Sequence, residues 1–233
     1  RRDNPEAVEA EDRGIPCVSF PQALSDLFLA QRTPVVITGT HGKTTTTTLT
    51  TYLLHRCGLE PGMLVGGVAQ NFGATFLIGQ QGAPFVVEGD EYDTAYFDKG
   101  PKFLHYRPQI AILNNIEFDH ADIYDDLDEI IENFDRLMDI LEPNSLLLAN
   151  ADDPLVLERA RRSSGRVVTY GFGEQAELRA VDVEPGPRGC TFRLIRRGED
   201  LGLVESPLAG RHNVWNTLAA FGVCFELGLS VDA

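Results

Sequence analysis

The stretch VVITGTHGKTT, residues 35–45, decides the fold of this 233-residue chain. It opens with a short run of apolar, mostly β-branched residues, which is typical of a strand buried on both faces of a parallel sheet. A turn containing Gly39 and Gly42 follows, and Lys43 and Thr44 then begin a helix. Backbone N–H groups and the positive end of that helix converge on one point, which suits phosphate. The stretch therefore predicts a strand, a phosphate-binding loop and a helix.

The loop residues have expected roles. Lys43 is predicted to neutralise the terminal phosphates of a nucleotide, and the Thr44 hydroxyl to ligate Mg²⁺. The general pattern G-x-x-x-x-G-K-T places its first glycine at position 37, where this chain has Ile37, and the glycine stands at Gly39 instead. A strand, turn and helix without a ligand is the alternative, and the order of strand, glycines, Lys and Thr argues against it.

Apolar runs similar to the first recur at residues 85–87, 110–113 and 146–148. Strands of this kind that alternate with helices indicate a parallel sheet. Between residues 166 and 208 the pattern changes to short β-prone runs separated by Gly and Pro, which predicts a small antiparallel annex. The fold class is therefore α/β, a mostly parallel sheet flanked by helices.

Helical periodicity is strongest over residues 127–141, where seven apolar side chains share one stripe and acids occupy the other faces. Further helices are predicted over 21–30, after Asp153-Pro154, and over 212–227. Asp153 is expected to be the N-cap of its helix, with proline at the first helical position.

The net charge is −15, from 20 Lys+Arg against 35 Asp+Glu, which argues against nucleic acid or an anionic membrane as the main partner. Residues 88–142 hold 16 acids and four bases, a net charge of −12. The longest uncharged stretch, residues 61–87, contains six glycines and two prolines, so a membrane helix is not expected there. Four widely spaced cysteines without a CxxC pair indicate a cytoplasmic chain without a disulfide scaffold.

Acidic residues follow two of the predicted strands directly. Glu88 to Asp93 come after the run at 85–87, and a loop ending in His120 comes after the run at 110–113. Ligands of such sheets bind at the carboxyl ends of the strands. Glu88 is therefore a candidate Mg²⁺ ligand, whereas His120 alone is more often only a hydrogen-bonding residue.

A third polar element opens the last predicted helix, at Gly210 to Asn216. Asn213 and Asn216 are three residues apart on one helix face and are candidates to hydrogen-bond an adenine or a ribose. An equally good alternative is that Asn213 caps the helix.

Together these segments resemble the Mur ligase family, ATP-dependent amide-forming enzymes of bacterial cell-wall synthesis. Five motifs occur in the family's order: GTHGKTT at 39–45, the acidic box at 88–93, NIEFDH at 115–120, NADD at 150–153 and GRHNVWN at 210–216. The resemblance implies that ATP and Mg²⁺ are bound, with Thr44, Glu88 and His120 as metal ligands and Lys43, Glu88 and His120 as catalytic residues. It also implies a nucleotide-binding set, namely Gly39, Thr40, His41, Gly42, Lys43, Thr44, Thr45, His212, Asn213 and Asn216.

Within the family, the run from Asp90 to Tyr106 is most similar to the branch of cell-wall recycling, which joins UDP-N-acetylmuramate to the murein tripeptide L-alanyl-γ-D-glutamyl-meso-diaminopimelate. The alternative is the branch that adds L-alanine to UDP-N-acetylmuramate, which usually has Ser where Tyr92 stands. A third possibility is a P-loop kinase or a nucleotide-binding scaffold outside the family. A GTPase is disfavoured because the chain has no Asn-Lys-x-Asp motif.

The resemblance also implies a domain organisation. Residues 1–33 are expected to be a lead-in from a UDP-sugar domain, and residues 34–233 to be the central ATP-binding domain, with a peptide-binding domain beyond it. The 233 residues alone are then expected to bind Mg-ATP without ligating. The sequence leaves the oligomeric state open.

Overall fold

The apolar run before the phosphate-binding loop forms the central strand of a single large sheet. Val35 and Ile37 point to one face and Val36 to the other, and all three are fully buried. The computed structural model describes residues 3–119, 124 and 126–231. In those ranges the sheet has ten strands: β1 Pro34–Thr38, β2 Gly62–Ala69, β3 Ala74–Leu77, β4 Phe85–Glu88, β5 Ile110–Leu113, β6 Leu146–Asn150, β7 Arg166–Gly171, β8 Leu178–Gly186, β9 Gly189–Arg196 and β10 Glu199–Ser206.

The strand order is β10-β9-β8-β7-β6-β5-β1-β4-β2-β3. Strands β2, β4, β1, β5, β6 and β7 are parallel, and β3 lies antiparallel at one edge. At the other edge β8 pairs briefly in parallel with β7, and β9 and β10 continue as antiparallel strands. The predicted fold class, a mostly parallel sheet with an antiparallel annex, is confirmed.

The predicted start of the annex at residue 166 is wrong. Strand β7 pairs in parallel with β6 over all but its last residue, from Arg166 beside Leu146 to Tyr170 beside Asn150. The short helix between these strands crosses over the sheet, so β7 completes one more βαβ unit. The antiparallel part begins at Leu178 and continues the same sheet.

Helices cover both faces of the sheet. They are α1 Pro5–Asp12, α2 Phe20–Leu24, α3 Lys43–Arg56, α4 Phe103–Tyr106, α5 Leu127–Ile140, α6 Pro154–Ala160 and α7 Arg211–Glu226. Side chains of α2, α4, α5 and α6 share one buried cluster with the sheet, whereas α3 and α7 pack on the opposite face. Within the described ranges, every helix is too short or too polar to cross a bilayer.

The predicted helix over 21–30 divides into α2 and a π-helical turn, Ser25–Leu29. The predicted helices over 127–141 and 212–227 are confirmed to within one residue at each end. Asp153 is confirmed as an N-cap, since its carboxylate accepts from the N–H groups of Leu155 and Val156 at 2.9 and 3.2 Å. The strand order places the carboxyl ends of β1, β4 and β5 side by side. The polar loops that follow these three strands therefore lie at the same edge of the sheet.

Candidate nucleotide-binding site

The loop between β1 and α3 depends on two glycines with left-handed backbone. Gly39 has φ +115°, and a Cβ there would lie 2.9 Å from the backbone nitrogen of Asn115. Gly42 has φ +84°, precedes α3 as its N-cap, and passes so close to Asn216 that a Cβ would meet its Oδ1 at 2.8 Å. Ile37, where the general pattern has glycine, is a buried strand residue paired between β4 and β5. The turn therefore begins two residues later in this chain.

A segment after β5 holds the loop in shape. The Thr40 N–H donates to the Asn115 carbonyl at 3.1 Å, and the His41 N–H donates to Asn115 Oδ1 at 2.7 Å. The Thr40 hydroxyl exchanges hydrogen bonds with the backbone of Glu117. These contacts fix Thr40 and His41 while leaving the His41 ring exposed. The sequence shows two asparagines directly after a buried strand. It does not show that they contact the loop between β1 and α3.

Lys43 points back into the loop that precedes it. Its ammonium donates to the carbonyls of Gly39 and Thr40 at 2.8 and 3.1 Å, and it pairs with Glu91 Oε2 at 3.0 Å. The Lys43 side chain is 11% exposed and that of Glu91 only 1%. The geometry thus brings the predicted phosphate-binding lysine to the centre of the loop.

Thr44 and Glu88 both lie beside the Gly66-Gly67 pair of β2. The Gly66 N–H donates to Glu88 Oε2 at 3.2 Å, and a Cβ on Gly67 would contact the Thr44 methyl group at 3.8 Å. The other oxygen of Glu88, Oε1, is buried and has no hydrogen-bond partner. A buried carboxylate oxygen without a partner is costly unless a ligand completes it.

These two residues suit Mg²⁺, which takes oxygen ligands and usually keeps several waters and phosphate oxygens. In the described part of the chain, no three His, Cys, Asp or Glu side chains are grouped as a metal site. The fit therefore rests on Glu88 and on Thr44, an exposed residue. His120, the other predicted ligand, lies outside the described residues.

The acidic box continues into a paired segment. Asp90 accepts from the Lys102 ammonium at 2.6 Å, and that ammonium also lies 4.7 Å from the centre of the Tyr92 ring. Burial, and then the charge of Asp90, raise the pKa of Tyr92 well above its usual range, so Tyr92 is a neutral hydroxyl. A cavity of about 180 Å³ beside Glu88 is lined in part by Asp90, Lys102 and Tyr106.

The last helix meets the loop through Asn216. Its buried Oδ1 accepts from the Thr46 hydroxyl at 3.0 Å, and its amide donates to Asn213 Oδ1 at 3.1 Å. Asn213 in turn donates to the Ala209 carbonyl at 2.7 Å. The alternative that Asn213 caps α7 is wrong, because the N-cap is Gly210. The structure brings Asn216 next to Gly42 of the loop, with Asn213 hydrogen-bonded to it and His212 exposed on the same helical turn. Their role toward adenine stays a prediction.

A buried polar network that the sequence did not predict supports these elements. Asn114 accepts from the Tyr170 hydroxyl at 2.9 Å and donates to the His41 carbonyl at 3.2 Å. The Asn150 amide donates to the Asn114 carbonyl at 2.9 Å. Burial raises the pKa of Tyr170 well above its ordinary value, which keeps the tyrosine a hydrogen-bond donor. The network ties the ends of β5, β6 and β7 to the loop.

A larger cavity, of about 490 Å³, begins at Thr44 and Thr45. It runs between α3, the β2–β3 turn at Asn71 and the buried side of α7 at Thr217. There is room, therefore, for an organic group next to the loop that would hold phosphate.

The fold and this loop define the chain as an α/β domain of the P-loop type. The family model "Mur ligase middle domain" matches residues 37–224, which is most of the chain. The chain therefore belongs to the Mur ligase family, whose members are ATP-dependent ligases.

Curated relatives come from two branches of the family. UDP-N-acetylmuramate–L-alanyl-γ-D-glutamyl-meso-2,6-diaminoheptandioate ligase of Escherichia coli is 37% identical over 98% of this chain and 49% of its own length. UDP-N-acetylmuramate–L-alanine ligase of an Arthrobacter species is 39% identical over 100% of this chain and 48% of its own length. The chain thus spans about half the length of these relatives.

Among solved structures, the UDP-N-acetylmuramate:L-alanyl-γ-D-glutamyl-meso-diaminopimelate ligase from Neisseria meningitides superposes with a TM-score of 0.87 at 35% identity, over 99% of this chain and 72% of that one. A murein peptide ligase from Psychrobacter arcticus gives a TM-score of 0.85 at 30% identity, over 99% and 52%. The UDP-N-acetylmuramate–alanine ligase from Thermotoga maritima, at 24% identity over 98% of this chain and 49% of that one, has a TM-score of 0.75 and shows the shared fold.

Proposed function

We propose that this chain is the ATP-binding domain of a ligase that joins UDP-N-acetylmuramate to the tripeptide L-alanyl-γ-D-glutamyl-meso-diaminopimelate in peptidoglycan recycling. One observation carries the proposal: the Lys43 ammonium lies inside a glycine-shaped loop, beside the strand end that presents Glu88 with an unpaired buried oxygen. Such a site suits a magnesium-bound nucleoside triphosphate.

The choice of acceptor is supported by the solved structures. The tripeptide ligase from Neisseria meningitides and the murein peptide ligase from Psychrobacter arcticus superpose with TM-scores of 0.87 and 0.85, against 0.75 for the alanine ligase of Thermotoga maritima. The sequence of the run from Asp90 to Tyr106 supports the same branch by its resemblance to it, and within that run Lys102 pairs with Asp90 and contacts the Tyr92 ring.

The chemistry is acyl phosphate formation followed by amide formation. The muramate carboxylate attacks the γ-phosphorus of ATP and ADP leaves; the peptide amine then attacks the acyl carbon and phosphate leaves. Lys43 and the N–H groups of the loop bind phosphate oxygens and orient the γ-phosphate for in-line attack. Thr44 and Glu88 would hold Mg²⁺, which would supply positive charge against the repulsion between the anionic reactants. Asn213 and Asn216 at the start of α7 are proposed to contact the adenine.

A second candidate is ligation of L-alanine to UDP-N-acetylmuramate. It is favoured by one observation, the 39% identity to the Arthrobacter alanine ligase over the whole chain. Against it, the tripeptide ligase of Escherichia coli is 37% identical over 98% of this chain, and the following experiment distinguishes the two acceptors.

The test is phosphate release by the full-length protein with ATP, Mg²⁺ and UDP-N-acetylmuramate, comparing the tripeptide with free L-alanine. Release that depends on the tripeptide supports the proposal, and release that depends on alanine replaces it with the second candidate.

A nucleotide-binding scaffold would show no turnover and would bind ATP equally well after Lys43→Ala. For the ligase we expect Lys43→Ala to weaken ATP binding about a hundredfold, since hydrogen bonds from charged groups contribute about 1.5–3 kcal/mol.

We further propose that the chain is the central one of three domains and works in the cytoplasm. The four cysteines are free thiols, which fits a reducing compartment. The isolated 233 residues should then bind Mg-ATP without forming product. Ligation of all three substrates by these residues alone would refute the domain assignment.

A further inference from the structure

The phosphate-binding lysine has an anionic partner within the protein. Glu91, three residues beyond the end of β4, brings its carboxylate to 3.0 Å from the Lys43 ammonium through Oε2 and to 3.4 Å through Oε1. Both side chains are nearly removed from solvent. The Coulomb attraction within a buried ion pair of this kind is stronger than within a surface pair, because little solvent screens it.

The ion pair with Glu91 occupies one of the hydrogen-bond donors of the Lys43 ammonium. An ammonium has three N–H donors, and those of Lys43 are matched by Gly39 O, Thr40 O and the Glu91 carboxylate. The two carbonyls belong to the loop, whereas the carboxylate is an anion from the segment that follows β4. A phosphate oxygen that reaches Lys43 has to take the place of one of these acceptors.

The backbone of Glu91 is anchored independently of Lys43. Its carbonyl accepts from the Tyr124 hydroxyl, and from the Asn133 amide of α5 at 3.4 Å. Burial, together with the charge of Glu91, raises the pKa of Tyr124 to about 12, so this hydroxyl remains a donor. The exchange at Lys43 therefore involves the Glu91 side chain and leaves its main chain in place.

We propose that Glu91 is a positioning residue of the nucleotide site: its carboxylate holds the Lys43 ammonium in the loop before nucleotide binds, and a phosphate oxygen replaces it when nucleotide enters. This inference rests on the proposed function, because it assumes that Lys43 binds a nucleotide phosphate. The proposal fixes the direction in which the Kd for ATP changes. Because Glu91 competes with ATP for Lys43, loss of its charge lowers that Kd. A residue that only supported the fold would weaken binding when changed.

The experiment measures the Kd of ATP with Mg²⁺, by calorimetry, for the full-length protein and its Glu91→Gln variant. Glu91→Gln is expected to lower the Kd about tenfold, the ratio that corresponds to ~1.4 kcal/mol. Glu91→Asp keeps the charge and should bind ATP within about threefold of the parent, a small shift on the same scale. A Kd for Glu91→Gln that is unchanged or higher overturns the proposal.

Glu117→Gln is the matched control. It removes one negative charge next to the same loop, since the Glu117 N–H donates to Thr40 Oγ1, but its side chain is 61% exposed and its Oε2 lies 3.8 Å from His41 Nε2. Because solvent screens this charge, the Kd should change less than about twofold. An equal gain in both variants would mean that general electrostatics, and not the pair, sets the affinity.

A second measurement tests the pair without nucleotide. Lys43→Ala removes the cation that faces the buried Glu91 carboxylate, so adding Glu91→Gln should raise the melting temperature above that of Lys43→Ala alone. Failure of this rescue overturns the proposal. If the parent protein does not bind ATP, the proposed function fails, and the rescue still decides whether Lys43 and Glu91 are coupled.

Discussion

At the scale of single residues, the nucleotide site is shaped by close backbone approach. Gly39 runs against the backbone of Asn114 and Asn115 with no room for a side chain, so the loop and the segment after β5 fit together only when this position is glycine. The shifted position of this glycine, relative to the general pattern, follows from the length of β1, which extends to Thr38. The sequence predicts this strand end, because its apolar run stops before Gly39, where the turn begins.

Gly39→Ala is expected to destabilise the chain by about 3 kcal/mol, from the positive φ and from a clash with backbone atoms that cannot move aside. Gly58→Ala is the control, because Gly58 also has positive φ, at +83°, but has open space around it. It should cost only about 1 kcal/mol. Urea unfolding of both variants measures the difference, and equal losses would show that the clash does not contribute.

At the scale of elements, the turns after β5 and β6 hold each other. Asp153 caps α6 and also accepts from the Ile116 N–H at 3.0 Å, so one carboxylate fixes a helix start and the segment that supports the loop. Asp126 caps α5 through a single bond, from Glu129 N–H at 3.1 Å. The sequence predicts the cap at Asp153, since capping is local, but the contact to Ile116 joins residues 37 apart in the chain.

Asp153→Ala should therefore cost more than Asp126→Ala, although both remove an N-cap. We expect about 1 kcal/mol for Asp126→Ala and about 2–4 kcal/mol for Asp153→Ala, because the second change also leaves the Ile116 N–H unsatisfied. Chemical denaturation gives both values. Losses of equal size would mean that the contact to Ile116 contributes nothing to stability.

The difference between local patterns and contacts distant in the chain explains which elements could be predicted from the sequence. The strands at 85–87, 110–113 and 146–148 are continuous apolar runs, and α5 has a complete apolar stripe, so local pattern suffices. Strand β7 is only half-buried at Val167 and Val168, and its direction depends on the crossover through α6, which no local pattern specifies.

In the site, the positions of Lys43 and Glu88 could be predicted from their motifs. Glu91 as the partner of Lys43, and Asn114 as the centre of a network, depend on which strand ends become neighbours.

At the scale of the whole molecule, the negative charge divides into two parts. Eight of the 16 acids in residues 88–142 lie between Asp125 and Glu142, mostly on the solvent side of α5. The others follow β4 and β5, where Asp90 and Glu91 are already paired with lysines and Glu88 keeps one oxygen without a partner. A chain of net charge −15 repels the polyanion ATP unless positive charge is supplied at the site.

We therefore expect ATP binding to require a divalent cation and to be abolished when a chelator removes it. Glu88→Gln should raise the Mg²⁺ concentration for half-maximal ATP binding about tenfold, since it loses a charged ligand worth ~1.4 kcal/mol. Glu132→Gln removes the same charge from an exposed position on α5, and should shift the midpoint less than about twofold because solvent screens it. Titration of Mg²⁺ at fixed ATP gives all three midpoints. Equal shifts in the two variants would assign the metal requirement to the overall charge of the protein and remove Glu88 from the metal site.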